Sequence, residues 1–237
     1  MHMDDQSYRI YPLGESSLTV EFGSGIDEVV NLRVMNVFRR LMEKPFPGFI
    51  EAVPSYSSIT LHYAPLLIPG HSTRSPFEYV SSQVTTYLGS PETKEQGRLV
   101  EIPVCYEDEL APDLPAVSGT TGLTMKEVIA LHTNSSYHIY MIGFLPGFPY
   151  MGTVDNKLHM PRKKAPVPVT AGSVAIAGSQ TGIYSLDSPG GWWVIGRTPL
   201  KIFDPFGAEP VWLRPGDRIE FHPISRHEFK NHQGRSA

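Results

Sequence analysis

Beyond residue 138 the apolar residues come in short runs, His138–Phe144, Val174–Ala177, Trp193–Ile195, Leu200–Phe203 and Ile219–Phe221, with glycine or proline between them. Runs this short cannot form long helices. Strands broken so often predict a closed or sandwiched β structure. The 21 glycines and 22 prolines make up about 18% of the 237 residues, where roughly 12% is usual. They favour turns along the whole chain.

The first part of the sequence reads differently. Leu18, Val20 and Phe22 alternate with Thr19 and Glu21, the period of a half-buried strand, and Ile59, Leu61 and Tyr63 repeat the pattern. Between them Val30, Val34, Val37 and Leu41 share one helical face, with Asp27 as N-cap and Lys44-Pro45 as the stop. A second helix is expected from Ser75 as cap and Pro76 at the first helical position, through Phe77, Val80, Val84 and Leu88, to Gly89 as its breaker. Residues 1–89 therefore predict a small α+β N-terminal domain. The segment 90–97, SPETKEQG, has no apolar residue and is the expected linker. Residues 98–237 form the expected mainly-β domain, opening with Val100, Ile102 and Val104 in alternation. Thr124-Met125-Lys126-Glu127 is a capping box that starts a short helix through Val128, Ile129 and Leu131. A polar tail is expected from about His227.

Charge and cysteine content exclude several functions. The balance of 20 Lys+Arg against 24 Asp+Glu gives −4, so the basic footprint of a nucleic-acid binder is missing. Cys105 is the single cysteine, which rules out an internal disulfide. Met1-His2-Met3-Asp4-Asp5 is acidic where a secretory signal is basic and then apolar, and no apolar run reaches the roughly 18 residues of a membrane span. A cytoplasmic protein without nucleic-acid or membrane partners is expected.

Standard catalytic motifs do not occur. His227-Glu228 is followed by His232, five residues from the first histidine instead of four, so the helical zinc motif is not met and no metal site is expected. No Walker A sequence and no G-x-G-x-x-G after a strand are present. Ser179 follows Gly178 directly, which breaks the order of a nucleophile elbow and reads as a turn. Cys105 reads as a small buried hydrophobe ahead of a nucleophile.

The unusual region runs from Phe144 to Arg197. Residues 143–152, GFLPGFPYMG, hold Phe144, Phe148 and Tyr150 on a backbone fixed by Pro146, Gly147 and their neighbours. Aromatics on such a loop wall a pocket or plug a barrel end. Arg162 begins a short basic run with Lys163 and Lys164, either a solvated turn or a fork for carboxylate or phosphate. Gln180, Thr181 and Tyr184 add hydrogen-bonding groups, and Gly190, Gly191 and Trp192 make a second glycine-rich aromatic turn before Arg197. His132 and His138 are the titratable groups nearby in sequence, as structural or as catalytic residues.

The strings GFLPGFPYMG, PRKKAPVPVTAGSVAIAGSQTGIY and SPGGWWVIGRTPLKIFDP, with GESSLTVEFG near the start and EIPVCYEDELAPDL heading the second half, resemble the PxpB/KipI family. That family is also known as allophanate hydrolase subunit 1 and as carboxyltransferase subdomain C/D. Gly14-Glu15 stands where the family commonly has Gly-Asp, and Glu109-Leu110-Ala111-Pro112-Asp113-Leu114 where it has Glu-Phe-Gly-Pro-Asp-Leu. The resemblance implies a small α+β domain followed by a cyclophilin-like β-barrel. It also implies a subunit of a bacterial ATP-dependent 5-oxoprolinase, working with PxpC/KipA-like and PxpA-like subunits to open 5-oxo-L-proline to L-glutamate. ATP would be the co-substrate, with Mg2+ carried by the nucleotide. The alternative within the family is a non-enzymatic inhibitor that binds a sporulation histidine kinase. Allophanate hydrolysis itself is not expected, because its Ser-rich amidase signature is missing. On the 5-oxoprolinase reading Arg162, His138 and His132 are the catalytic candidates. Phe144, Pro146, Gly147, Phe148, Tyr150, Lys163, Gln180, Thr181, Tyr184, Gly190, Gly191, Trp192 and Arg197 are the candidates for binding substrate or ATP.

Overall fold

The computed structural model describes residues 8–70, 72–88 and 97–232. The chain divides into two compact units between residues 95 and 96. Apart from Gly97, the expected linker over 90–97 lies outside the described residues, as does Gly89.

In the first unit, strands β1 (Arg9–Pro12), β2 (Ser17–Glu21), β3 (Phe49–Pro54) and β4 (Ser58–Tyr63) form an antiparallel sheet in the order β1-β2-β4-β3. Helices α1 (Glu28–Glu43) and α2 (Pro76–Leu88) complete the unit. The alternation read from the sequence sorts the sheet into two faces. Leu18, Val20, Ile59, Leu61 and Tyr63 are buried together with Val34, Val37 and Leu41 of α1 and Val80 and Val84 of α2. On the other face Thr19 and Thr60 share a hydrogen bond of 2.9 Å between their hydroxyls. The Asp27 carboxylate accepts from the Val30 N–H at 2.9 Å, as an N-cap should.

The second unit holds a seven-stranded, nearly closed, barrel-like sheet. Its strands are β5 (Leu99–Val104), β6 (Ser136–Ile142), β7 (Pro149–Gly152), β9 (Ser173–Ala177), β10 (Gln180–Ile183), β12 (Trp193–Arg197) and β13 (Arg218–Pro223), in the order β12-β9-β10-β7-β6-β13-β5. Only β13 and β5 run parallel. The two outer strands meet just past the end of β5: the Cys105 N–H donates to the Arg197 carbonyl at 2.8 Å, and the Arg197 N–H donates back at 2.9 Å. This approach requires glycine next door, since a Cβ at Gly196 would stand 2.6 Å from Val104 Cγ1 and 3.0 Å from the Tyr106 ring. A short ribbon of β8 (Val167–Val169) and β11 (Ser188–Gly190) lies outside the main sheet. Helices α3 (Leu114–Thr121), α4 (Met125–Thr133) and α5 (Arg226–His232) complete the unit. Both halves of the Thr124/Glu127 capping box form at the start of α4. No helix among the described residues is long and apolar enough to cross a membrane.

Two expectations are corrected. Leu200–Phe203 is not a strand; Pro199 and Pro205 bracket it, and Phe203 makes a single bridge to Val211. The polar tail begins as helix α5, capped by Ser225 and Glu228, with Phe229 buried beneath it and Arg226 paired with Asp108 and Glu109.

Inside the barrel, Ile102, Val104, Ile139, Met151, Val174, Ile176, Ile195 and Ile219 surround one polar chain. His132 Nδ1 lies 2.9 Å from the Tyr106 hydroxyl, His132 Nε2 lies 2.9 Å from Thr181 Oγ1, and Thr181 donates to the Ala175 carbonyl at 3.2 Å. Because the Thr181 proton goes to Ala175, one tautomer satisfies every member. Tyr106 donates to Nδ1, and Nε2–H donates to Thr181. Phe221 stacks on the imidazole with centroids 4.6 Å apart. Burial holds the His132 pKa down at about 3, so the ring is neutral. His132 and Thr181 are thus internal struts of the barrel, and both nitrogens of the expected acid–base residue are occupied. The lone thiol of Cys105 is buried as well, and burial raises its pKa, which fits the small-hydrophobe reading.

Gly196→Val should destabilise the protein by about 1–3 kcal/mol through overpacking at the strand junction, read as a lower midpoint in urea denaturation. His132 titrates at about 3 when folded against an ordinary 6.5, so the unfolded chain takes up its proton first as pH falls. Its contribution is therefore complete above 6.5 and drains at about 1.4 kcal/mol per pH unit from there down to about 3. Stability measured between pH 7 and pH 4.5 should fall less steeply in His132→Gln than in the parent.

Candidate functional site

The outer face of β9 and β10 is lined by small residues, and aromatics pack into the space they leave. Ala175, Ala177 and Gly182 form the floor; a Cβ at Gly182 would lie 2.7 Å from Phe148 Cζ. Phe148 is the hub. Its ring lies 4.9 Å from Tyr150, 5.3 Å from Tyr184, 5.5 Å from Trp192 and 5.7 Å from Phe144, edge to face with all but the tilted Tyr150 ring. Such geometry sets the positive edge of one ring against the negative face of the next. Gly190 is a second required glycine, since a Cβ there would stand 2.6 Å from Tyr184 Cζ.

The loop entering β7 is a tight device. Gly143 N–H donates to the Phe148 carbonyl at 3.0 Å, and Phe148 N–H to the Leu145 carbonyl at 3.0 Å. Gly147 takes φ +80°, a conformation that favours glycine, and a Cβ there would be tight at 3.3 Å from Phe203 Cβ. Phe144 takes φ 63°, the left-handed region that a bulky side chain avoids, and its ring is 62% exposed. Strain spent on presenting an apolar ring to solvent is a mark of functional loops. Pro146 sits exposed at the tip.

Arg162 is positioned over this cluster by its neighbours. Trp193 Nε1–H donates to the Pro161 carbonyl at 2.6 Å, and Lys163 N–H to the Gly191 carbonyl at 2.8 Å, so residues 161–163 are sewn to the turn before β12. The Arg162 guanidinium carbon then sits 6.0 Å from the Trp192 ring centroid. It has no carboxylate partner among the described residues. Lys163 differs, being ion-paired to Asp113 at 2.6 Å and set 5.3 Å from the Trp193 ring centroid. Asp113 also accepts the Val194 N–H at 2.7 Å, so it fixes both Lys163 and β12. Burial raises the pKa of both Tyr150 and Tyr184, and the Arg162 charge opposes that rise, which places the guanidinium's field on both phenols. The arrangement offers a cation without a carboxylate partner among the described residues, set over an aromatic face, to an anion that carries a planar group.

The sequence candidates therefore separate. Phe144, Phe148, Tyr150, Arg162, Tyr184, Gly190 and Trp192 come together, with Pro146 and Gly147 shaping the loop and Gly191 and Lys163 holding the Arg162 segment. Gln180 and His138 occupy the next row on the same face, in register with Gly152 between them, and both are buried. Tyr140 meets the His138 ring edge-on at 4.9 Å. His132 and Thr181 are inside the barrel, as described above. Arg197 is elsewhere: it ends β12, five residues from Trp192 and so about 16 Å along an extended strand, where it lines a separate cleft with Ser185, Thr198 and Phe229. Asp113, Ser185, Thr198 and Phe229 gave no signal in the sequence. Each is an ordinary polar or apolar residue until the fold supplies its neighbours.

The profile of the carboxyltransferase domain, subdomain C and D, matches residues 8–213. A 5-oxoprolinase subunit from Bacillus subtilis is 42% identical over 228 residues, covering 94% of this chain and 95% of that protein. Its counterpart of the same name from Escherichia coli O157:H7 is 36% identical and covers 92% and 97%. Among solved structures, a crystal structure of TTHA0988 superposes with a TM-score of 0.77 at 38% identity over 88% of this chain. This chain spans only 40% of that longer polypeptide.

Proposed function

This chain belongs to the family of the carboxyltransferase domain, subdomain C and D, and from that membership we propose that it is the PxpB-type subunit of a 5-oxoprolinase. The observation that carries this reading is the 42% identity to the Bacillus subtilis 5-oxoprolinase subunit across 94% of this chain. Such an enzyme opens the lactam of 5-oxo-L-proline to L-glutamate. The step is hard because the amide is stabilised and the product amine re-closes the ring, so coupling to ATP is chemically sensible. Transfer of the γ-phosphoryl group to the lactam oxygen activates the carbonyl carbon, so that water adds there and the C–N bond breaks with the amine as leaving group. A second water hydrolyses the resulting acyl phosphate to carboxylate and phosphate. The charge that develops calls for preorganised cations.

On this reading the chain contributes part of a site. Arg162 over the Trp192 ring is the cation that faces the phosphoryl or carboxylate charge, and Phe144, Tyr150 and Tyr184 supply the wall. His138 and Gln180 in the adjoining row are the polar groups nearest to it in register. The cluster contains no nucleophile–base pair, which suits a subunit completed by others better than a free-standing enzyme. The longer TTHA0988 polypeptide, in which a chain like this one is a minor part, supports a partner held close by. We assign that role to PxpC/KipA-like and PxpA-like subunits, with ATP as co-substrate and a cytoplasmic location. The two compact units correspond on this reading to the α+β domain and the cyclophilin-like barrel of the family.

The test is glutamate release from 5-oxo-L-proline and ATP by this protein with its two partners, each component being omitted in turn. Glutamate should appear only in the complete mixture; equal rates without this chain would sink the reading. In the assembled complex Arg162→Ala should lower the rate at least tenfold, as expected for a charge-assisted contact of about 1.5–3 kcal/mol. An unchanged rate with intact assembly removes Arg162 from the mechanism.

A further inference from the structure

We propose that the cleft at the far end of β12, where α5 packs, is a binding site of its own for a small monocarboxylate with a compact apolar body and a carbonyl group. The cleft has a volume of about 300 Å³ and is lined by the 171–172 turn, Ser185, residues 197–202 and Phe229 of α5. That volume stands at the lower end of ligand pockets and equals about ten waters at ~30 Å³ each. It suits a ligand the size of one cyclic amino acid.

Its polar groups are few, and several keep donors without a partner among the described residues. The Arg197 side chain crosses Gly172, whose φ of +83° and lack of a Cβ leave the space; a Cβ there would stand 2.6 Å from the Thr198 carbonyl oxygen and 3.6 Å from Arg197 Cγ. Arg197 Nε–H donates to the Ala171 carbonyl at 2.9 Å. That bond fixes the plane of the guanidinium and leaves both terminal nitrogens without a partner among the described residues, a fork of the kind that matches a carboxylate. Lys201, also on the cleft, is already paired with Asp204 at 2.9 Å and does not compete for the anion. The Ser185 hydroxyl is buried, with the residue 5% exposed, and has no hydrogen-bond partner. A buried hydroxyl left unpaired is costly, and a ligand carbonyl supplies the acceptor it lacks once the side chain turns to another staggered well. Thr198 Oγ1 accepts from the Leu200 N–H at 3.2 Å and still has its own proton to donate. The remaining walls, Leu200, Ile202 and Phe229, are apolar. One charged fork, two hydroxyls and three apolar walls fit a ring that carries a carboxylate on one side and a carbonyl on the other.

The choice of probe rests on the function proposed above; the site itself does not. The probe is 5-oxo-L-proline, titrated calorimetrically into the full chain alone at neutral pH, with its neutral carboxamide as the control. Saturable binding of the acid is expected, with at least tenfold weaker binding of the carboxamide. Arg197→Gln should weaken binding of the acid at least tenfold and Ser185→Ala severalfold, whereas Lys157→Ala, an exposed change outside both sites, should leave it unaltered. Should Arg197→Gln fail to fold, the bulky Leu200→Trp, at a partly exposed position on the opposite wall, blocks the cleft and must abolish binding. Absence of saturable binding to the parent chain, or loss of binding in Arg162→Ala with Arg197→Gln unaffected, overturns the proposal. Glutamate release by the assembled complex separates the two readings. Release without binding to this cleft overturns only the site, while Arg197-dependent binding without release overturns only the assigned enzyme.

Discussion

Two backbone hydrogen bonds between Cys105 and Arg197 close the barrel, and the arrangement of everything around it follows from that closure. The strands they join, β5 and β12, are the ends of a seven-stranded sheet, and without the junction each presents a row of unpaired amides to solvent. Gly196 makes the junction geometrically possible by leaving room for Val104 and Tyr106. Tyr106, admitted by that space, then reaches His132 and begins the polar chain that crosses the interior to Thr181 and Ala175. Closure and interior are therefore one construction. The donors and acceptors of that chain are satisfied by one another, and the two candidate locations for a ligand lie outside the sheet and at its end.

Both outer locations are built by glycine. On the face of β9 and β10, Gly182 and Gly190 let the ring edges of Phe148 and Tyr184 approach the backbone closely, and a second small core grows outward from them. At the far end of β12, Gly172 lets the Arg197 stem cross the turn and hold its guanidinium toward the cleft. The two arginines differ in what confines them. Arg162 is exposed and held only through its backbone and a ring face, whereas Arg197 is tethered at Nε and half-buried.

The sequence displayed the regular parts of this architecture because they carry a periodic signal. Helix α1 with its Asp27 cap, the alternating strands around Leu18 and Ile59, and the Thr124/Glu127 box all read directly from residue spacing. Leu200–Phe203 misled because four largely apolar residues in a row look like a buried strand, while they line a cleft and a loop in the fold. Helix α5 hid behind polar residues, although Ser225-x-x-Glu228 carries the same capping signature as Thr124-x-x-Glu127. The site was legible in part. The glycine and aromatic density from Phe144 onward marked the outer cluster as a place where ordinary strand chemistry stops. Proximity along the chain, however, joined Arg162 to Arg197 and His132 to His138, pairs that the barrel places apart. Which face a strand residue occupies depends on register with its neighbours, and register is set by closure, which no local pattern reveals.

The separation of the two arginines bears on how a protein of this kind would divide its work. Phe144 sits in a strained conformation and is largely exposed, and Arg162, over the Trp192 ring of the same cluster, has no counter-charge among the described residues. That surface is built on the outer face of the barrel, and both Phe144 and Arg162 are exposed on it. Such a surface becomes a desolvated site only when a second chain covers it, and desolvation is what gives a guanidinium its leverage on a developing charge. The Arg197 cleft needs no such cover, because its walls, its fork and its unpaired Ser185 hydroxyl all come from one compact unit. On the proposed reading, recognition of the small acid is then intrinsic to this chain, and the ATP-dependent step waits for assembly.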